Sequence, residues 1–245
     1  MTLEQFFAEN REVAIAFSGG VDSAYLLYAA TRYAARVKAY YVSTAFQPEF
    51  ELADARRLAD ELGADMLVLH VDVLSNSAVT ANPSDRCYHC KNTLFRQILR
   101  AAENDGFPVL LDGTNASDDA GDRPGMRALR ELSVRSPLRE CGLTKAEIRR
   151  LSREAGLFTW DKPAYACLST RIRTGEEITL QKLKQTEKAE GFLFGLGFRD
   201  FRVRMVGNTA KLELREADLP LLLENREKIV TELRKDYDSV LLNLE

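Results

Sequence analysis

The run Val13-Ala14-Ile15-Ala16-Phe17 is apolar at every position and stops at Gly19 and Gly20, which is the composition of a short buried strand. Just beyond the glycines, Tyr25, Leu26, Leu27 and Ala30 recur at helical spacing. The alternation continues: residues 37–42 predict a second strand, 48–62 a helix closed by Gly63, and 65–71 a third strand. Residues 88–104 predict a further helix, and Val109-Leu110-Leu111-Asp112 a strand ending at Gly113. Residues 134–138 are expected to add a fifth strand. Thr144-Lys145-Ala146-Glu147 is a capping box that opens a helix to about Ala155, with Gly156 as its stop. Strands separated by helix-length segments give an α/β fold, a parallel sheet of about five strands with flanking helices. Ligands of such sheets gather at the carboxyl ends of the strands. By that rule residues 18–23, Ser43-Thr44, His70 to Asp72 and Asp112 to Asn115 converge on one cleft.

From Thr179 the pattern changes. A helix over 180–194, strands over 201–206 and 210–214, a helix over 219–235 and a last strand over 240–244 predict a small α+β unit. Gly207-Asn208 between two strand runs reads as a hairpin turn. The change is expected near residues 173–175, giving a domain over 1–173 and a smaller C-terminal substrate or oligomerisation domain over 174–245. Residues 113–125 are rich in Gly, Asp and Asn without periodicity, so they predict a loop. Its acids Asp118, Asp119 and Asp122 read either as a solvated hinge or as holders of Mg2+ on a nucleotide.

Composition narrows the class. The chain has 245 residues, 45% of them apolar and 29% charged, as in an ordinary soluble globular protein of one or two domains. A net charge of −3 argues against a dominant nucleic-acid footprint. The first ten residues are mixed and acidic, which is not a signal peptide, and no apolar run approaches the ~18 residues of a membrane span. Four cysteines are too few and too unevenly spaced for a secreted disulfide scaffold, so a reducing cytoplasm is expected, with metal or reactive-thiol roles.

The stretch Ser18-Gly19-Gly20-Val21-Asp22-Ser23 joins the first strand to the first helix of the alternation. A strand that breaks at two glycines and enters a helix leaves unpaired N–H groups around an anion-sized hollow, at the positive end of the helix. Ser18 and Ser23 add hydroxyls, and Asp22 stands where a phosphate-bound Mg2+ would need an acid. No Gly-Lys-Ser/Thr follows, so this is not a Walker loop and no lysine is supplied locally.

Cys87-Tyr88-His89-Cys90 is a C-x-x-C at the start of a predicted helix, whose positive end favours thiolates. It reads as a structural pair, a redox dithiol or, with partners from elsewhere, a metal site; the other thiols are Cys141 and Cys167. Four thiolates would close a zinc site, whereas three would leave one iron of a cubane cluster open. Cys141 precedes a capped helix and is expected to be structural. Cys167 lies in the segment that joins the two predicted domains, beside Arg171 and Arg173, which would bias its thiol toward thiolate. Clustered arginines also suit phosphate or carboxylate capture. Arg202 and Arg204 alternate on one predicted strand and so share a face, either a ligand face or a solvated one.

The hexapeptide at residues 18–23 resembles the pyrophosphate loop of the ATP pyrophosphatase superfamily, whose fold is adenine nucleotide alpha-hydrolase-like. With Asp85-Arg86-Cys87-Tyr88-His89-Cys90-Lys91, Asp112-Gly113-Thr114-Asn115, Asp122-Arg123-Pro124-Gly125, Ser136-Pro137-Leu138 and the segment from Trp160 to Arg171, almost the whole chain resembles the LarE family of ATP-dependent sulfur transferases. The resemblance implies that ATP, with Mg2+, adenylates a carboxylate of pyridinium-3,5-biscarboxylic acid mononucleotide. A sulfur nucleophile would then displace AMP to leave a thiocarboxylate for a nickel-pincer nucleotide cofactor. It implies ATP and pyrophosphate contacts from Ser18, Gly19, Gly20, Val21, Asp22, Ser23, Ser43, Gly113 and Asn115. Arg171, Arg202 and Arg204 would hold the substrate, with Glu190 as a weaker candidate for an active-site acid. In one branch of the family the cysteine matching Cys167 gives up its own sulfur and becomes dehydroalanine. Cys87 and Cys90 depart from that branch and resemble members in which three cysteines hold a 4Fe-4S cluster, here Cys87, Cys90 and Cys167. The implied partner is a small nucleotide substrate, with a homo-oligomer expected. The rivals are a tRNA thiolase of the same superfamily and a zinc-stabilised nucleotide-binding protein without chemistry.

Overall fold

The computed structural model describes residues 1–118 and 124–244. Two compact units emerge, one of Met1–Val73 with Asp85–Ala164 and the other of Leu74–Ser84 with Tyr165–Glu245. The second thus takes in an excursion at 74–84 that the sequence pattern did not separate from the first.

The first unit opens on helix α1 (Leu3–Glu9), for which Thr2 and Gln5 form a capping box and Phe6 and Phe7 supply a fully buried apolar pair. Strands β1 (Glu12–Ala16), β2 (Arg36–Ser43) and β3 (Met66–His70) follow, separated by helices α2 (Val21–Tyr33) and α3 (Glu49–Leu62). Gly63 ends α3 at φ +61°, a left-handed value that a side chain disfavours. Within this unit come helix α5 (Arg86–Asn104), strand β4 (Val109–Leu111), and helices α6 (Pro124–Glu131), α7 (Pro137–Glu140) and α8 (Lys145–Glu154); α4 (Ser77–Thr80) belongs to the second unit.

All strand pairs of the first sheet are parallel, in the order β3-β2-β1-β4. Val13 and Ile15 of β1 face the core built from α1, α2, Leu138, Ile148 and Leu157, whereas Ala14 faces Tyr40, Ile98, Ala102 and Phe107. Alternate residues of a strand point to opposite faces, so the continuous apolar run over residues 13–16 of β1 is what a doubly covered sheet requires. Each fully buried Leu, Ile or Phe contributes about 1.5–3 kcal/mol.

The described residues form four strands in this sheet rather than about five. Residues 134–138 give one parallel bridge, Leu111 to Arg135, with Arg135 N–H on the Leu110 carbonyl (3.0 Å). Pro137 then lacks the N–H that a ladder needs and starts α7 instead. The order of strands puts a switch point between β1 and β4, because the chain leaves β1 for β2 on one side and returns to β4 on the other.

The second unit holds α4, helix α9 (Leu180–Gly195), strands β5 (Phe201–Val206) and β6 (Thr209–Leu214), helices α10 (Leu219–Glu224) and α11 (Arg226–Leu233), and strand β7 (Ser239–Leu242). β5 and β6 pair as an antiparallel hairpin across Gly207-Asn208, with Gly207 at φ +59°, and β7 joins β6 in parallel. The helix expected over 219–235 is interrupted. Asn225 turns its side-chain amide onto the Leu221 carbonyl (3.0 Å) and serves as the joint between α10 and α11. Among the described residues, no helix is long and apolar enough to cross a membrane.

Candidate active site

The 18–23 loop leaves β1 and enters α2 at the switch point. Gly19 takes φ +73°, and a Cβ there would lie 3.1 Å from that of Ala55. The two serines brace the turn: Ser18 N–H donates to Ser23 Oγ (3.3 Å), Ser23 Oγ–H to the Gly20 carbonyl (3.1 Å), and the two hydroxyl oxygens lie 3.1 Å apart. Gly20, at the N-cap of α2, offers no side-chain cap. The N–H groups of the first helical turn therefore remain directed at the hollow, a ready anion site. Gly113, after β4, is a glycine by necessity, since a Cβ there would sit 2.9 Å from the Ser23 nitrogen. The β4 end and the α2 N-terminus are thus in direct backbone contact.

Two lysines reach this loop from far along the chain. Lys145, first residue of α8, sets its Nζ 2.6 Å from Asp22 Oδ2. Lys162 pairs with Asp54 (2.7 Å) and lies 3.5 Å from the Gly19 carbonyl. The sequence reading missed both as site residues. A signal for Lys145 existed, because the Thr144–Glu147 capping box fixes where α8 begins and so which residue projects from its first turn. Asp22 Oδ1 is buried and, among the described residues, has no hydrogen-bond partner. An orphaned buried carboxylate oxygen is costly, and a bound cation would satisfy it.

The other carboxyl ends are more fully engaged. Asp112 is buried and accepts from the hydroxyls of Thr114 and Ser136. Asn115 is buried too, its Oδ1 accepting the Ser117 N–H (2.8 Å) and its own N–H donating to Asp118 (2.9 Å). Ser43 ends β2 opposite His70, and its carbonyl accepts the Val71 N–H (3.0 Å). Asp119 and Asp122 lie outside the described residues.

The C-x-x-C belongs to the first unit. α5 begins at Arg86, two residues earlier than its periodicity suggests, so Cys87 and Cys90 stand one turn apart at its positive end. Cys87 is exposed and Cys90 half-buried. Between them Tyr88 donates to Glu131 (2.7 Å) under the Arg127 guanidinium, and His89 approaches Asp85 (3.4 Å). Cys141 caps the C-terminus of α7 and packs on the core, where burial pushes its thiol up. Among the described residues, no three or more His, Cys, Asp or Glu side chains are grouped so as to hold a metal ion.

Cys167 belongs to the second unit, just before a short 3-10 turn, Leu168–Arg171. Its Sγ lies 3.0 Å from the Oγ of Ser169. Arg171 and Glu190 are 1% exposed each and form a bidentate pair, Nε to Oε1 at 2.7 Å and Nη2 to Oε2 at 3.1 Å. Burial alone would lower the Arg171 guanidinium, but the bonds to Glu190 outweigh it and its pKa is raised. Arg202 and Arg204 do share a face of β5. Arg202 donates to the Phe201 carbonyl (2.6 Å), while Arg204 donates to Glu213 and to the Thr170 carbonyl, both at 2.7 Å.

Comparisons with known proteins bear on the family. The asparagine synthase family model matches residues 4–118, the part that carries the loop and the four strands. An uncharacterised protein of Synechocystis sp. is 40% identical over 215 residues, 86% of this chain and 80% of the relative. The tRNA-specific 2-thiouridylase MnmA of Thermotoga maritima is 26% identical over 60% of this chain and 52% of its own length. The pyridinium-3,5-bisthiocarboxylic acid mononucleotide synthase of Lactiplantibacillus plantarum is 32% identical over 235 residues, 95% of this chain and 85% of the relative. A pyrophosphate-loop α/β unit, a smaller α+β unit and a match that spans both place this chain in the LarE family, that of the pyridinium-3,5-bisthiocarboxylic acid mononucleotide synthase.

Proposed function

We propose that this protein is an ATP-dependent sulfur transferase that adenylates a carboxylate of pyridinium-3,5-biscarboxylic acid mononucleotide, releases pyrophosphate, and converts the acyl adenylate to a thiocarboxylate. The observation that carries the first half is the open loop: uncapped α2 N–H groups, Lys145 beside Asp22, and the unpartnered Asp22 Oδ1. Carboxylate oxygen is a poor leaving group and AMP a good one, so activation precedes sulfur attack. Backbone donors and lysine charge favour the negative charge that develops on departing pyrophosphate. Asp22 would hold Mg2+, which would neutralise phosphate charge there.

In the second half a sulfur nucleophile attacks the acyl carbon, and the bond from that carbon to the AMP oxygen breaks. The proposed holders of the sulfur are Cys87, Cys90 and Cys167, which would bind a 4Fe-4S cluster whose open iron would carry an extra sulfide taken up from solution, on the ground that the sequence supplies three thiols at family-matching positions. Cys87 and Cys90 suit it as neighbours on one turn, and no trio is grouped within the described residues. Without a cluster, Cys167 Sγ itself attacks; loss of its Cα proton with cleavage of Cβ–Sγ then leaves dehydroalanine and the thiocarboxylate. Self-association is proposed as well, supported by the exposed apolar Val206, Leu223 and Leu241 of the second unit.

The test is one reaction followed by mass spectrometry on anaerobically purified protein, supplied with inorganic sulfide. Pyrophosphate release and replacement of one substrate oxygen by sulfur are expected, with iron and sulfide near four each per chain, as a 4Fe-4S assignment requires. Iron-free protein that still transfers sulfur and loses one sulfur at Cys167 overturns the cluster. Release of pyrophosphate with tRNA but not with the mononucleotide overturns the substrate.

A further inference from the structure

The second unit closes a network of polar groups around one short segment. Glu190 has both oxygens doubly occupied: Oε1 accepts Arg171 Nε (2.7 Å) and Val203 N–H (2.9 Å), and Oε2 accepts Arg171 Nη2 (3.1 Å) and the Tyr165 hydroxyl. Two bonds per oxygen leave a carboxylate little capacity for a further partner. Arg171 directs its remaining edge along the chain, Nη1 to the Ala166 carbonyl (3.1 Å) and to Thr170 Oγ1 (2.8 Å). The Thr170 amide and hydroxyl both donate to the carbonyl of Cys167, each at 2.9 Å.

Downstream of the cysteine the fixing continues. Arg204 takes the Thr170 carbonyl, and Ile172 bridges to Met205 on β5. Asn82, fully buried, donates to the carbonyls of Arg173 (2.8 Å) and Glu176 (3.0 Å) and lies 3.4 Å from that of Ile172. The carbonyls of residues 166, 167 and 170 are therefore each held, while the side chain of Cys167 lies against the hydroxyl of Ser169.

We propose that Arg171 and Glu190 are positioning residues for Cys167: their buried pair fixes the backbone on both sides of that cysteine, and substrate meets neither. This rests on the reading of Cys167 as the residue through which sulfur passes. It gives the pair a different job from the substrate contact that the sequence suggests, because side chains 1% exposed with their polar atoms committed within the unit present nothing for a phosphate to meet. Arg202 and Arg204, both less deeply buried on β5, remain the residues for substrate.

The experiment compares wild type with Thr170→Val and Glu190→Gln. In reduced, chelator-treated protein, the backbone amide at position 170 should be less protected from hydrogen exchange in both variants, and Cys167 should be alkylated by iodoacetamide at an altered rate. With ATP and the mononucleotide, thiocarboxylate formation should fall on the order of a hundredfold in Glu190→Gln, as a misplacement of about 1 Å does. The substrate concentration for half-maximal pyrophosphate release should move less than about threefold, because no substrate contact is lost. A tenfold or greater rise in that concentration, with transfer per adenylated substrate kept, overturns the proposal in favour of direct contact. Unchanged exchange, alkylation and transfer in Thr170→Val also overturns it, whether or not Glu190→Gln folds. Wild type that releases no pyrophosphate with the mononucleotide defeats the substrate reading instead, and the exchange and alkylation results still decide the positioning role.

Discussion

Two short serine-bearing turns, at residues 18–23 and 167–171, are built on opposite terms. In the first, glycines strip away side chains, the α2 N-terminus is uncapped and a buried Asp22 oxygen lacks a partner. In the second, carbonyls and a carboxylate are saturated by guanidinium, hydroxyl and amide donors. Unsatisfied polar groups held rigidly in place mark where a charged ligand completes the structure; saturated ones mark where a single reactive atom is being aimed. On the proposed function, the first turn is the place for ATP and the second for the placing of one sulfur.

The contrast is most exposed at Glu190. Glu190→Ala would leave Arg171 buried and uncompensated, a loss of about 3–5 kcal/mol, whereas Glu190→Gln keeps bonds to it and should cost less. Urea unfolding of the two variants reads this directly, and equal losses would show that the lost charge alone matters and that the bonds Gln keeps add nothing. Next in size is Lys145→Met, which removes the ammonium beside Asp22. Pyrophosphate release should slow on the order of a hundredfold, as when a transition-state charge loses one donor, while the melting temperature stays near that of wild type.

A smaller effect is expected at Gly113→Ala. Its new Cβ would meet the Ser23 nitrogen at 2.9 Å, backbone against backbone, so the α2 N-terminus must shift. Overpacking of this kind costs about 1–3 kcal/mol, and ATP affinity from calorimetry should fall with it; unchanged affinity would separate Gly113 from the loop. The smallest effect lies away from both turns, at Asp105. The Tyr40 hydroxyl, then Lys38, hold its carboxyl below the ordinary carboxylate range. A lowered folded pKa contributes stability that is present above the unfolded value of about 3.9 and lost as pH falls through the folded value. The stability gap between wild type and Asp105→Asn should therefore shrink as pH drops below about 4. A gap that widens there would reverse the sign.

Much of the first turn was legible in sequence because its determinants are local: an apolar strand, two glycines and a helical face within one stretch. Even α1 carried a readable signal, the Thr2–Gln5 capping box before Phe6 and Phe7, which composition alone obscured. The expected fifth strand failed at Pro137, and the long C-terminal helix broke at Asn225, where an amide chose a backbone carbonyl over solvent. The second turn was legible only as a cluster of chemistry-bearing residues. Which arginine faces a ligand and which is sealed is a tertiary choice: Arg171 finds Glu190 nineteen positions on, and Lys145 finds Asp22 across 123. No local pattern encodes such pairings, because either partner would be equally at home in water.

The division of labour between the two turns is tested most directly by isotope exchange between pyrophosphate and ATP in the presence of pyridinium-3,5-biscarboxylic acid mononucleotide. Wild type should catalyse substrate-dependent exchange, Asp22→Asn should lose it, and Cys167→Ser should retain it while forming no thiocarboxylate. Exchange that survives in Asp22→Asn, or that disappears in Cys167→Ser, would contradict an activation site at residues 18–23 that works independently of the sulfur-bearing cysteine.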